Sequence, residues 1–273
     1  MQGRLSPLVG NQIQAFPWES WEEEFRVGQK LGFFLMEWTL DQNRLAQNPL
    51  MTSVGQQRIR DLCGLHGIQI PALTGDCFMQ APFWKHTGTT CLALQDDFLA
   101  VVRACSALQI SLLVVPLVDG GRLTNRNEQE ALLGFLQDKC GFFRDLRVRI
   151  ALETDFPPPH ASRLVSTLDS EIFGINYDIG NSAGLGYPYE DEFRYYGPRI
   201  FHVHVKDRLL GGSTVPLGEG SADFPGVFRA LAGLGYQGNF VLQTARAADG
   251  DHVGVLRRCR EMVGSWIRRS YGS

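Results

Sequence analysis

Short apolar runs alternate with longer amphipathic stretches along the whole chain, with a repeat of about thirty residues, which is the pattern of successive βα units. The candidate strands are 2–6 (QGRLS), 33–39 (FFLMEWT), 68–76 (IQIPALTGD), 110–118 (ISLLVVPLV), 148–155 (VRIALETD), 173–181 (FGINYDIGN), 199–207 (RIFHVHVKD) and 238–246 (GNFVLQTAR). Amphipathic patterns follow at 18–31, 53–66, 88–108, 127–142, 158–170, 189–196, 222–235 and 249–270. Glycines close several of these helices just before the next strand, as in KLGFF and LHGIQI. Eight such units predict a single (β/α)₈ TIM barrel domain over residues 1–273. A doubly wound open sheet is the weaker reading, because no G-x-G-x-x-G follows the first strand.

Composition narrows the function classes. A net charge of −3 and no basic stripe argue against a nucleic-acid partner. No apolar run approaches the roughly 18 residues that cross a membrane. The six cysteines are dispersed without a C-x-x-C pair, which points to reduced thiols and a cytoplasmic protein. Homo-oligomerisation is compatible with all of this and is not decided by it.

The residues that carry chemistry follow from the barrel. Active sites of this architecture lie at the C-terminal ends of the strands. That rule selects Glu37, Asp76, Glu153, Asp155, Asp178, Asn181, His202, His204, Lys206, Asp207, Gln243 and Arg246. Strand alternation puts His202, His204 and Lys206 on one face and Phe201, Val203 and Val205 on the other. The same alternation turns Glu153, Asp178 and Gln243 inward at similar height. Carboxylates and histidine from separate strands at one mouth suit a divalent cation: Mn, Co, Zn or Mg. Each residue alone has a plainer reading. A lone H-x-H is more often polar lining, Asp178 reads as a turn cap, and LGEG (217–220) reads as a turn into a helix capped by Ser221 or Asp223.

At ALETDFP, NYDIGNSAG, HVHVKD, VPLGEGSADF and GYQGNFVLQ the chain resembles the xylose isomerase-like barrel superfamily of sugar phosphate isomerases and epimerases. The pattern is similar to the L-xylulose 5-phosphate 3-epimerase or hexulose-6-phosphate isomerase group. The resemblance implies one divalent metal held by Glu153, Asp178, His204 and the residue at 243. In the family that last ligand is a glutamate, and here it is Gln243. It also implies a small carbohydrate substrate, an enediolate formed beside a carbonyl, and Glu153 as base; beside that, Lys206 is expected as a further catalytic group, with Lys206 or His202 able to serve as an acid. Substrate contacts are expected from Glu37, Asp76, His202 and Arg246. Because an amide exchanges no protons near neutral pH, Gln243 favours chemistry with one base, isomerisation or elimination, over two-faced 3-epimerisation. A keto-inositol-type dehydratase and a sugar-binding barrel without turnover are the alternatives.

Overall fold

The computed structural model describes residues 1–10 and 12–272. Seven parallel strands form its main sheet: β1 (Leu35–Thr39), β2 (Gln69–Thr74), β3 (Leu112–Leu117), β4 (Arg149–Thr154), β5 (Phe173–Asp178), β6 (Ile200–Val205) and β9 (Phe240–Leu242), paired in that order. Between β6 and β9 lies a small antiparallel hairpin of β7 (Asp207–Arg208) and β8 (Thr214–Val215). The helices around the sheet are α1 (Glu23–Lys30), α2 (Ser53–His66), α3 (Asp76–Gln80), α4 (Gly88–Ala107), α5 (Arg126–Asp138) and α6 (Cys140–Asp145). They continue as α7 (Pro158–Ser166), α8 (Ile179–Leu185), α9 (Tyr189–Tyr196), α10 (Phe224–Gly233) and α11 (His252–Tyr271).

Strands such as β3 (LLVVPL) are buried throughout, as expected where helices cover one face and the barrel interior the other. Outside the sheet, Ile150, Leu152, Phe173 and Val203 pack with Phe98 and Phe143 in the main core. Inside it, Ala72, Leu112, Val114 and Ala151 make a second, smaller cluster that floors the barrel. Phe201 packs on this inner floor, contrary to strict alternation. A register shift between Ile175 and Asn176, where Ile200 and His202 are successive partners, inserts Phe201 as an extra residue and turns it inward.

The eighth strand expected at 2–6 does not form. Gly3 adopts a φ of +83° that ends any extended run, and a Cβ there would lie 2.7 Å from the Ala15 carbonyl oxygen. Residues 1–3 instead bridge β9 and β1 at the upper end of the gap. The Gln2 amide donates to the Glu37 carbonyl at 2.9 Å, and the Met1 amine donates to the Leu242 carbonyl at 3.3 Å. Below them an apolar cavity of about 610 Å³ remains, lined by Phe34, Leu35, Met36, Phe240, Leu256 and Ile267 among others. The barrel is therefore nearly closed, with one seam.

Two elements were not legible as separate units. The stretch 127–142 breaks at Lys139 into α5 and α6, and the stretch after β5 forms the short helix α8. Among the described residues, no helix is long and apolar enough to cross a membrane. The six cysteines are all free thiols.

Candidate active site

At the C-terminal ends of β4, β5 and β6, one ligand-type atom each from Glu153, Asp178 and His204 lies within 4.8 Å of the others. All three residues are buried. Asp178 shows how one side chain serves two ends. Its Oδ1 accepts the Asn181 amide at 2.8 Å and caps α8, as the plainer reading anticipated. Its Oδ2 turns inward, buried, with the Lys206 ammonium 2.8 Å away but no donor aligned for a hydrogen bond. Lys206 also donates to Gln243 Oε1 at 3.0 Å, so its charge stands between those two residues. Gly180 permits that approach, since a Cβ there would come within 2.9 Å of the Lys206 stem.

Glu153 is oriented by two amides. Asn176 Nδ2 donates to its Oε2 at 2.8 Å and Asn181 Nδ2 to its Oε1 at 2.8 Å. Burial resists its ionisation, but His204 outweighs burial and holds the carboxyl below its ordinary range. Beneath the mouth, Glu37 is enclosed by donors. It accepts His202 Nε2 at 2.5 Å, His204 Nε2 at 2.9 Å and Thr74 Oγ1 at 2.8 Å. Burial works against its charge too, and the two histidines hold it well below the carboxylate range. Desolvation opposes the charge on His204 as well, yet Glu37 and Glu153 raise it to about 10. His202, buried with one such partner, is pushed down. With Nε2–H given to Glu37, His204 turns Nδ1 toward Asn176 Nδ2, 3.0 Å away, and Glu153 Oε2, 3.5 Å away. A carboxylate behind the far nitrogen is the usual arrangement of a metal-binding imidazole.

These residues fit one divalent cation: two carboxylates, of which Asp178 keeps an inward oxygen without an aligned donor, and an imidazole nitrogen. Glu37, His202 and His204 also converge, but the Glu37 oxygens there are already taken by three donors. That second group reads as support for the imidazoles.

The other expected residues are spread around this centre. Asp76 lies 7% exposed at the end of β2 and accepts Gln14 Nε2 at 2.9 Å. Burial, helped by the charge of Asp41, raises its pKa to about 7. Arg246 gives its guanidinium to the carbonyls of Gly3 and Ser6, tying down the segment that bridges the seam. Asp155 pairs with Arg122 at 2.5 Å. Asp207 is fully buried and accepts the amides of Gly218, Gly220 and Ala222, which fixes the LGEG turn; Asp223 caps α10. Gln14 was not among the candidates. It sits in the irregular segment between the seam and α1, where no periodicity marks it. Arg208, which donates to Asn181 Oδ1 at 3.1 Å, was likewise missed.

A xylose isomerase-like TIM barrel family model matches residues 25–259. Among curated proteins, the L-ribulose-5-phosphate 3-epimerase UlaE of Salmonella paratyphi A is 25% identical over 260 residues, covering 90% of this chain and 89% of that protein. Among solved structures, a xylose isomerase domain protein from Planctomyces limnophilus superposes with a TM-score of 0.77 at 16% identity, over 97% of this chain and 96% of the other. The IolI protein with a zinc atom gives 0.76 at 16% identity, over 92% and 94%. The chain belongs to the xylose isomerase-like TIM barrel family.

Proposed function

We propose that this protein is a divalent-metal-dependent isomerase or epimerase of a small keto-sugar or keto-sugar phosphate. The observation that carries the reading is the convergence of Glu153, Asp178 and His204 at one mouth. The ketose-phosphate 3-epimerase among the relatives supports the substrate class, and the zinc in a structural neighbour supports the cofactor class. A cation held by Glu153, Asp178, His204 and Gln243 would supply electrophilic stabilisation of the paired oxygens of an enediolate.

The chain's own groups do the rest. Glu153, ionised at neutral pH and steered by Asn176 and Asn181, accepts the proton from the carbon beside the carbonyl. The Lys206 ammonium, poised between Asp178 and Gln243, can give a proton to a substrate oxygen. An amide exchanges no protons usefully near neutral pH, so of positions 153 and 243 only Glu153 carries a base. That favours proton transfer on one face, and it keeps elimination by the same base as a second reading.

The test is proton NMR in D₂O with Mn²⁺ over a panel of pentuloses, hexuloses and their phosphates. Deuterium should enter at the α-carbon, vanish in Glu153→Gln and persist in Gln243→Ala. Incorporation that survives Glu153→Gln, or none with any ketose, would refute the assignment.

A further inference from the structure

Gln243 could meet a cation with either end of its amide, and only the oxygen end would bind it. A chain of side chains outside the proposed metal site settles which end faces in. Gln243 Nε2 donates to Gln14 Oε1 at 3.1 Å. The same Gln14 oxygen accepts Arg4 Nη2 at 2.9 Å, and Gln14 Nε2 donates to Asp76 Oδ2 at 2.9 Å. Arg4 is 4% exposed and is itself held by the carbonyls of Ile13 and Thr244, at 2.9 and 3.0 Å.

The polarity of this chain is forced from both ends. A guanidinium has only donors, so Gln14 must present its oxygen to Arg4 and its amino group to Asp76. Gln243 must then offer its own amino group to that oxygen. At the far end the Lys206 ammonium, again only a donor, requires the Gln243 oxygen. Reversing either amide would set N–H against N–H next to a full positive charge.

We propose that Gln14, held by Arg4 and Asp76, is a positioning residue that locks the Gln243 amide with its oxygen toward the Lys206 ammonium, which also faces Asp178. This chain thereby keeps an oxygen donor at the position where its family resemblance places a glutamate. The inference rests on the metal reading above and adds a role that falls outside it. Gln14 touches neither Glu153, Asp178 nor His204 in the hydrogen bonds it makes.

Orientation matters for an amide and is meaningless for a carboxylate, whose two ends are alike. That difference defines the experiment, calorimetric titration of the whole protein with Mn²⁺ in two backgrounds. Gln14→Met should weaken Mn²⁺ binding about tenfold in the natural chain, the scale of one lost hydrogen bond. In a Gln243→Glu background the same change should cause no weakening. If Gln14→Met does not fold, Gln14→Ala takes its place. Equal weakening in both backgrounds would mean that Gln14 only supports the structure, and no weakening in either would mean that it does nothing; both overturn the proposal. Failure of the unaltered protein to bind Mn²⁺ or Zn²⁺ at all would overturn the metal reading first, and this inference with it.

Discussion

The mouth between β4 and β6 and the seam between β9 and β1 both bury charged side chains, and they use them in opposite ways. At the seam the charges replace a missing ladder. Glu24 accepts the amides of Gly3 and Leu5, at 2.7 and 3.0 Å, and the Ser6 hydroxyl at 2.7 Å. Arg246 and Arg4 take up the carbonyls of Gly3, Ser6, Ile13 and Thr244. At the mouth the strands are already paired, β5 with β6 through Asn176–His202 and Asp178–His204, so the side chains are free to face one another. There Asp178 Oδ2 stays without an aligned donor. A buried charge absorbed by backbone reads as architecture. One met only by another side chain's charge, as Asp178 Oδ2 is by the Lys206 ammonium, and set beside a second carboxylate and an imidazole reads as a place for something else to bind.

The sharpest way to break this contrast is to remove one carboxylate from each region. Glu24→Ala strands three donors, two of them buried, and should destabilise the protein by about 3 kcal/mol or more in urea unfolding. Asp178→Asn keeps an N-cap for α8 and should change stability by less than about 1 kcal/mol. Equal losses would erase the distinction.

A smaller effect concerns pH and falls between the two regions, at Asp76. Its folded pKa of about 7 exceeds the ordinary aspartate value of 3.8, so the folded state holds the proton longer. The stability it contributes is complete below the unfolded value and is lost as pH rises through about 7. The metal-free protein should lose about 3 kcal/mol between pH 4 and 7 through this group. Asp76→Asn should flatten that slope. His204, raised to about 10, adds a loss of the same sign in a higher window, from about 6.5 upward through 10. An unchanged slope in Asp76→Asn would show that this carboxyl ionises normally.

The smallest effect is dynamic. Leu35 and Phe240 border the 610 Å³ cavity at the seam, whereas Leu152 and Ile175 are paired within the continuous ladder of β4 and β5. Amides of the first pair should exchange with solvent about tenfold faster in native-state hydrogen exchange. Equal protection would mean that the bridging segment closes the barrel as firmly as a strand.

The sequence made the mouth legible and left the seam obscure, for physical reasons. The strand-end carboxylates and histidines stand in regular β runs, where alternation alone says which side chains face inward. That is how Glu153, Asp178 and His204 come together from separate strands. The same rule misplaced Phe201, because a one-residue register shift leaves no mark in an apolar run. It also read QGRLS as a strand, since nothing in five residues announces that Gly3 turns to positive φ and that Glu24 and Arg246 replace the ladder. Gln14 was hidden for a related reason: its partner Gln243 lies more than two hundred residues away, and no periodicity marks the segment that holds Gln14.

Because His204 is common to both converging groups, its loss alone cannot say which one holds a cation. Metal content measured on purified unaltered protein, Asp178→Ala and His202→Ala, each reloaded with Mn²⁺ and desalted, separates them. We expect one equivalent per chain in the unaltered protein, little in Asp178→Ala, and most of it retained in His202→Ala. Metal that persists in Asp178→Ala and disappears in His202→Ala would contradict this and place the cation with Glu37, His202 and His204 instead.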